Sequence, residues 1–251
     1  MARTTAVAKK SPSTAVATVN RSDAAAALRA RLMAPTGDKI KIAEKQFKLP
    51  SGDTLDFLDV VVVDFVFFNA YYESAYQAGT VVPPACFSLN PDVREMLPSA
   101  NSPEKQHDAC KGCWANEFGS NGKGKACQNR CLVALLPTDA TEETPFVILD
   151  ISPTAVKGFN SYLSSVARSG KMPYEVVTHI ECNPATKYDV AIFDKSQDLD
   201  DDPFVGMIES RLDEARERLT TEPDVSATKA ANDSAPAKGG RNLKAPAKRR
   251  A

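Results

Sequence analysis

Four cysteines fall at Cys110, Cys113, Cys127 and Cys131, in the spacing C-x2-C-x13-C-x3-C. They sit in a segment, 86–131, that is dense in Cys, Gly, Asn and Lys and has no helical or strand period. A stretch without apolar periodicity buries no core of its own, so another kind of bond must hold it. A zinc ion does this with four sulfur or nitrogen ligands at tetrahedral corners. The turn Cys110-Lys111-Gly112-Cys113 suits two of those ligands, because Gly112 lets it close tightly. There are more candidates than places for the rest. Cys127 and Cys131 complete the spacing, but Cys131 runs into Leu132-Val133-Ala134-Leu135 and reads equally as core. Cys86, just after Pro83-Pro84, could reach the knuckle from the other side, and His107 is a further candidate or a solvated loop histidine. Cys182 and His179 lie in a strand-like stretch, where Cys182 reads as a buried thiol and His179 has no visible catalytic partner.

A redox C-x-x-C pair opens a helix in a strand–helix–strand unit, and no such pattern surrounds Cys110. The N-terminus lacks an apolar block with a cleavage site. No run of about 18 apolar residues offers a membrane-spanning helix. The expected setting is therefore the cytoplasm, not secreted and with no membrane partner. Thiols stay reduced there, which favours metal over disulfides.

Charge divides the chain unevenly. The 251 residues carry a net −1, but residues 1–34 carry +5 and residues 224–251 another +5, which leaves −11 for 35–223. A uniformly basic protein is excluded. Basic ends of this kind contact nucleic acid or acidic surfaces, or only keep a chain soluble.

Four regions are expected: a flexible basic arm over 1–37 with a short helix from Asp23 to Met33, a β-rich domain over 38–196 with the knuckle at 86–131, an acidic loop and amphipathic helix over 197–222, and a disordered basic tail over 223–251. Within the domain, Lys39 to Leu49 alternates as a half-buried strand, and Leu55 to Tyr72 reads as one long, bulged strand buried on much of both faces. Leu132–Leu136, Phe146–Ile151, Glu175–Glu181 and Tyr188–Phe193 read as further strands. Ser152 and Thr154 open a helix over Ala155–Arg168, and Val205–Leu219 has the spacing of a single amphipathic helix. The fold class expected is mainly β: an OB-like barrel or curved antiparallel sheet with an inserted zinc knuckle, one interior helix and a C-terminal helix.

Inside the knuckle, Gly119 to Ala126 nearly matches the phosphate-loop pattern, but Ala126 stands where the magnesium-binding hydroxyl belongs and no buried strand precedes it. Nucleotide hydrolysis is not expected. The same loop suits a different anion. Its glycines leave backbone amides accessible, Lys111, Lys123, Lys125 and Arg130 supply charge, and Trp114 and Phe118 offer faces for unpaired bases. The two aromatics could equally pack over a metal site.

The run Pro84-x-Cys86-Phe87-Ser88, then Cys110-x-x-Cys113, Asn116-x-Phe118-Gly119-Ser120 and Gly122-Lys123-Gly124-Lys125-Ala126-Cys127 resembles a family of tailed-bacteriophage proteins described as single-stranded DNA-binding proteins. The resemblance covers roughly 40–195, and its specific part is 84–132. It implies an OB-like barrel with an inserted zinc knuckle. Two positions depart from the family pattern: Trp114 stands where proline is common, and Cys131 where the second of two basic residues falls. The resemblance thus implies Cys86, Cys110, Cys113 and Cys127 as the zinc ligands.

Three functions compete. Single-stranded DNA binding in phage replication or recombination, inside the infected host's cytoplasm, is favoured by the aromatic–lysine loop and the basic ends. Bases would stack on Trp114, Phe118 and one of Tyr71 or Tyr72, and replication or recombination proteins are the expected partners. A zinc-stabilised module binding a host or phage replication or transcription protein is the alternative, suited to the acidic surface. An enzyme is not expected: two histidines and no complete catalytic motif leave little for acid–base work. The acids Asp198, Asp200, Asp201 and Asp202, interrupted only by Leu199, lead straight into Pro203 and read as a solvated loop.

Overall fold

The computed structural model describes residues 39–73, 82–199 and 203–226. The expected N-terminal helix, both basic ends and most of the acidic loop lie outside these residues. The described chain is mainly β, a curled sheet with three helices.

The organising element is β4 (Phe57–Tyr71), fifteen residues long. Along one side it pairs with the whole of β6 (Cys127–Pro137). On its other side it pairs first with β8 (Val176–Cys182) and then with β5 (Cys86–Asn90). Beyond β6 come β7 (Val147–Ile151), β1 (Lys39–Ala43), β2 (Gln46–Lys48) and β3 (Thr54–Leu55), while β9 (Ala191–Asp198) lies outside β8. Every pairing is antiparallel except β1 with β7. Among the described residues the path β3-β2-β1-β7-β6-β4-β8-β9 does not close on itself, so they form a curved sheet and not a closed barrel.

β4 is apolar on both faces because both are covered. Residues Leu58, Val60 and Val62 belong to one core, while Val61, Val63, Val66 and Phe68 belong to the other. The register with β6 slips between Val62 and Asp64. Side chains alternate with period two along a strand, so one extra residue switches parity, and Phe65 and Phe67 rejoin the face that Val60 and Val62 began.

The first core is covered by α1 (Pro153–Arg168), which buries Ala155, Phe159, Tyr162 and Val166 at steps of four, three and four residues. Those steps trace one helical stripe. The second core is covered by α2 (Pro203–Ser210) and α3 (Leu212–Leu219), through Ile208, Ala215 and Leu219. Val225 is buried in the same core, so the fold extends past Pro223, where the sequence pattern suggests a tail begins.

Two further expectations need correction. The single helix over 205–219 is broken at Arg211, whose guanidinium lies 4.4 Å from the centre of the Phe146 ring and pairs with Glu214 at 2.9 Å. The single strand over 39–49 is a hairpin. Glu44 and Lys45 turn it with φ of 58° and 65°, the two left-handed residues of a tight hairpin turn. Neither is glycine or asparagine, so the turn carries no sequence signal. Lys45 is held from outside: its amide donates to Asp189 Oδ1 at 3.0 Å, and its ammonium to the Asn183 carbonyl and Thr186 Oγ1. Among the described residues no helix is long and apolar enough to cross a membrane.

Candidate metal centre and nucleic-acid interface

At the far end of β4, Tyr71 pairs with Cys86 of β5 on one side and Cys127 of β6 on the other. Cross-strand partners share a face, so both thiols leave the sheet on the same side as the Tyr71 ring. The chain between β5 and β6 folds back over this row and adds Cys110 and Cys113. Cys110 faces the neighbouring row, where Asn69 lines the same cavity. Gly112 takes φ of 80°, the conformation a tight C-x-x-C turn asks of it.

Cys86, Cys110, Cys113 and Cys127 line one cavity of about 20 Å³, room for one water-sized body. His107 reaches its rim, with Nδ1 engaged by the backbone of Ala109. Burial pushes the Cys127 thiol up to about 12, and the neighbouring Cys110, Cys113 and Cys86 add to the effect. Cys110 is raised for the same first reason, against the pull of the Ser88 and Asn69 side chains. Among the described residues no group of three or more His, Cys, Asp or Glu side chains already stands in coordinating geometry. The donor set is nonetheless four thiols around one ion-sized space, the set that zinc takes in closed structural sites.

Cys131 is outside this group. It is fully buried in the first core and pairs with Phe67 and Ile151. It shares a strand face with Cys127, but four residues of strand separate them by about 13 Å, too far for one ion. The x3 spacing would bring two sulfurs together only on a turn or helix.

The knuckle hangs on a polar chain that the sequence does not announce. Lys125 donates to Asn116 Oδ1 and Asn129 Oδ1, both at 3.0 Å, and Asn129 donates to Asn69 Oδ1 at 2.6 Å. Asn116 donates back to the Cys110 carbonyl at 3.0 Å. The glycine-rich segment closes as a hairpin, with Gly119 N–H on the Gly124 carbonyl and Gly124 N–H on that of Asn121. These two amides serve the loop itself, and the exposed Lys123 stands at its tip.

The predicted nucleic-acid contacts separate into groups. Phe118 is 84% exposed, with the Lys125 ammonium 5.3 Å from its ring centre. Trp114 is 43% exposed and meets Tyr71 edge-on at 5.5 Å. Tyr72 packs against the second core instead. Lys111 is exposed beside the C-x-x-C turn. Arg130 points to the opposite face of β6 from Cys127 and Asn129, by strand alternation, and its guanidinium pairs with Asp150 at 2.8 Å. The sequence missed a second wall. An open cleft of about 900 Å³ lies between the knuckle and α1, lined by Phe118, Lys125 and Asn129 on one side and by Lys157, Asn160 and Arg168 on the other.

No protein-family model matches this chain, and no curated protein and no solved structure is similar to it.

Proposed function

We propose that the protein binds single-stranded DNA in phage replication or recombination, in the cytoplasm of the infected host, through a zinc-held knuckle. The observation that carries this is Phe118, a large ring standing 84% exposed on a braced loop beside lysines. An apolar ring left in water on an ordered loop is a stacking platform in waiting, and base stacking contributes about 1–3 kcal/mol per base. Trp114 offers a second, half-exposed ring, set against Tyr71. Lys111 and Lys123 supply charge for the phosphates, and Lys125 keeps Phe118 in place.

Zinc held by Cys86, Cys110, Cys113 and Cys127 is part of this proposal. The metal, when bound, contributes folding energy to a segment without a core of its own. The chain does the rest: the row Cys86–Tyr71–Cys127 sets the base of the knuckle, and Asn69 ties it to the sheet. Four thiolates fill a tetrahedron, so the site is structural and offers no open position for catalysis.

The test is a fluorescence-anisotropy titration of zinc-assayed protein with labelled oligo-dT at two salt concentrations, against a duplex of equal length. Tighter binding to the single strand, weakening with salt, is the expected result. Equal binding to both forms would reduce the interaction to the basic ends. No binding at low salt would overturn the reading in favour of a zinc-stabilised protein-interaction module.

A further inference from the structure

The cleft between the knuckle and α1 differs in charge from the rest of the body. Residues 35–223 carry −11, yet no acid occurs from Phe118 to Thr138 or from Ile151 to Tyr174. The first stretch holds Lys123, Lys125 and Arg130, and the second Lys157, Arg168 and Lys171. These two stretches supply every residue that lines the cleft, and no carboxylate lines it. The fold thus brings together two acid-free segments of an acidic protein, separated in sequence, along one groove.

The α1 wall is regular. Lys157, Ser161, Ser164 and Arg168 are exposed at steps of four, three and four residues, the same steps as the buried stripe but on another side of the helix. They form a straight polar row. From Lys157 to Arg168 the row runs about 16 Å at 1.5 Å per residue. Neither cation has an acidic partner among the described residues: the ion pairs lie elsewhere on the surface. A core does not require this arrangement, and a solvated helix face in an acidic protein would ordinarily mix signs. The cleft is also at the upper end of small-molecule pocket volumes, about 300–1,000 Å³, and is open, which suits a chain passing through better than an enclosed small molecule.

We propose that this cleft is the track of the DNA strand: its phosphates lie along α1, met by Lys157 and Arg168 at either end of the row, and its bases turn across to Phe118. The inference rests on the single-stranded DNA reading above and adds α1 to it. The row spans about five phosphates of a stacked strand at about 3.4 Å each, and fewer of an extended one. The Ser161 and Ser164 hydroxyls already donate to the carbonyls of Lys157 and Asn160, so the charged ends and the Asn160 amide are the strand's principal contacts on this wall.

The experiment compares three full-length proteins by anisotropy with oligo-dT across a salt series: wild type, Lys157→Glu/Arg168→Glu, and a control with the same charge change elsewhere, Lys41→Glu/Lys187→Glu. All four positions are exposed and none is in a core. The expected result is that the α1 variant loses on the order of tenfold or more in affinity and lowers the slope of log K against log salt by about 1.4, at about 0.7 per phosphate contact. The control should change little, and both should melt like wild type. Equal losses in the two variants would overturn the track, because net charge alone would then explain them. An α1 variant that binds normally, while Phe118→Ala does not, would overturn the track and leave the DNA-binding reading standing. A wild type that binds no oligo-dT would overturn both.

Discussion

The Lys125 ammonium donates to Asn129 Oδ1 at 3.0 Å, and through that amide the knuckle is wired to Asn69 of the central strand. Asn69 is 6% exposed, so its oxygen depends on this partner. Lys125→Met keeps the stem beside Phe118 but removes the donor from both Asn116 and Asn129. The expected cost is about 1–3 kcal/mol, the range for stranding partly buried acceptors. It should be local. Hydrogen exchange should accelerate across 116–127 while β8 and β9 stay protected. Uniform protection in the variant, with an unchanged melting temperature, would show that the clasp contributes nothing.

Cys127 and Cys131 share one strand face and have different fates, which makes a paired prediction. Cys127→Ala should lose zinc. Cys131→Ala should keep full zinc stoichiometry and lose about 1 kcal/mol to a small core cavity. Burial, with the Asp150 charge adding to it, pushes the Cys131 thiol far up. Burial thus disfavours its thiolate and also shields the sulfur from reagent, and iodoacetamide should leave Cys131 untouched until the protein unfolds. Mass-spectrometric mapping of alkylated peptides checks this. Native-state modification of Cys131, or zinc loss on replacing it, would return it to the ligand set.

These outcomes bear on how far the fold was legible in the sequence. The long central strand, its bulge and α1 were legible because apolar periodicity follows directly from burial: Val60, Val62, Phe65 and Phe67 repeat the pleat, and Ala155, Phe159, Tyr162 and Val166 the helix. The region of the knuckle was legible from Gly112 and the cysteine spacing. Cys131 was ambiguous, since x3 spacing has no fixed geometry until the conformation is known; β6 starts at Cys127, five residues before the expected strand. The α1 wall was hidden for another reason. Its signal is a lack of acids, and two acid-free stretches become a groove only when the sheet brings them together. By sequence Lys125 reads as a phosphate contact only, but its two amide partners give it a structural task as well.

The turn at Glu44-Lys45 gives a prediction of opposite sign for neighbouring residues. A left-handed conformation costs an ordinary residue about 1–2 kcal/mol, and asparagine tolerates it better. Glu44→Asn should therefore stabilise the protein by about 0.5–1 kcal/mol; the Glu44–Lys48 pair it removes is 3.8 Å long and exposed, worth little. Lys45→Asn should do the reverse. Its ammonium leaves the Asn183 and Tyr188 carbonyls and Thr186 Oγ1, and the loop before β9 loses its anchor, at about 1–3 kcal/mol. Urea denaturation of the two variants separates these effects. Equal shifts of the same sign would mean that the turn's conformation, and not its anchoring, dominates.

Trp114 is the chain's one tryptophan, and it stands on the knuckle. Intrinsic emission excited at 295 nm therefore reports this one region. At 43% exposure, edge-on to Tyr71, the indole is partly shielded only while the knuckle is folded. If the four thiols hold zinc, a chelator should open the loop and shift the emission to the red, while far-ultraviolet circular dichroism stays close to native because only the ends of β4, β5 and β6 reach the cavity and most of the sheet and of both cores lies away from it. Re-adding zinc should restore the spectrum, with protons released as the neutral thiols become ligands. Affinity for the metal should then fall as pH falls, since Cys127 and Cys110 are both held above their ordinary range and resist losing a proton. Adding oligo-dT to the zinc-loaded protein should quench the same signal if bases reach Trp114. Quenching lost in Trp114-retaining Phe118→Ala protein would place the strand on Phe118 first, and full quenching in that variant would make Trp114 the principal platform. An emission spectrum indifferent to chelator, with zinc shown to be removed, would sink the structural role of the metal.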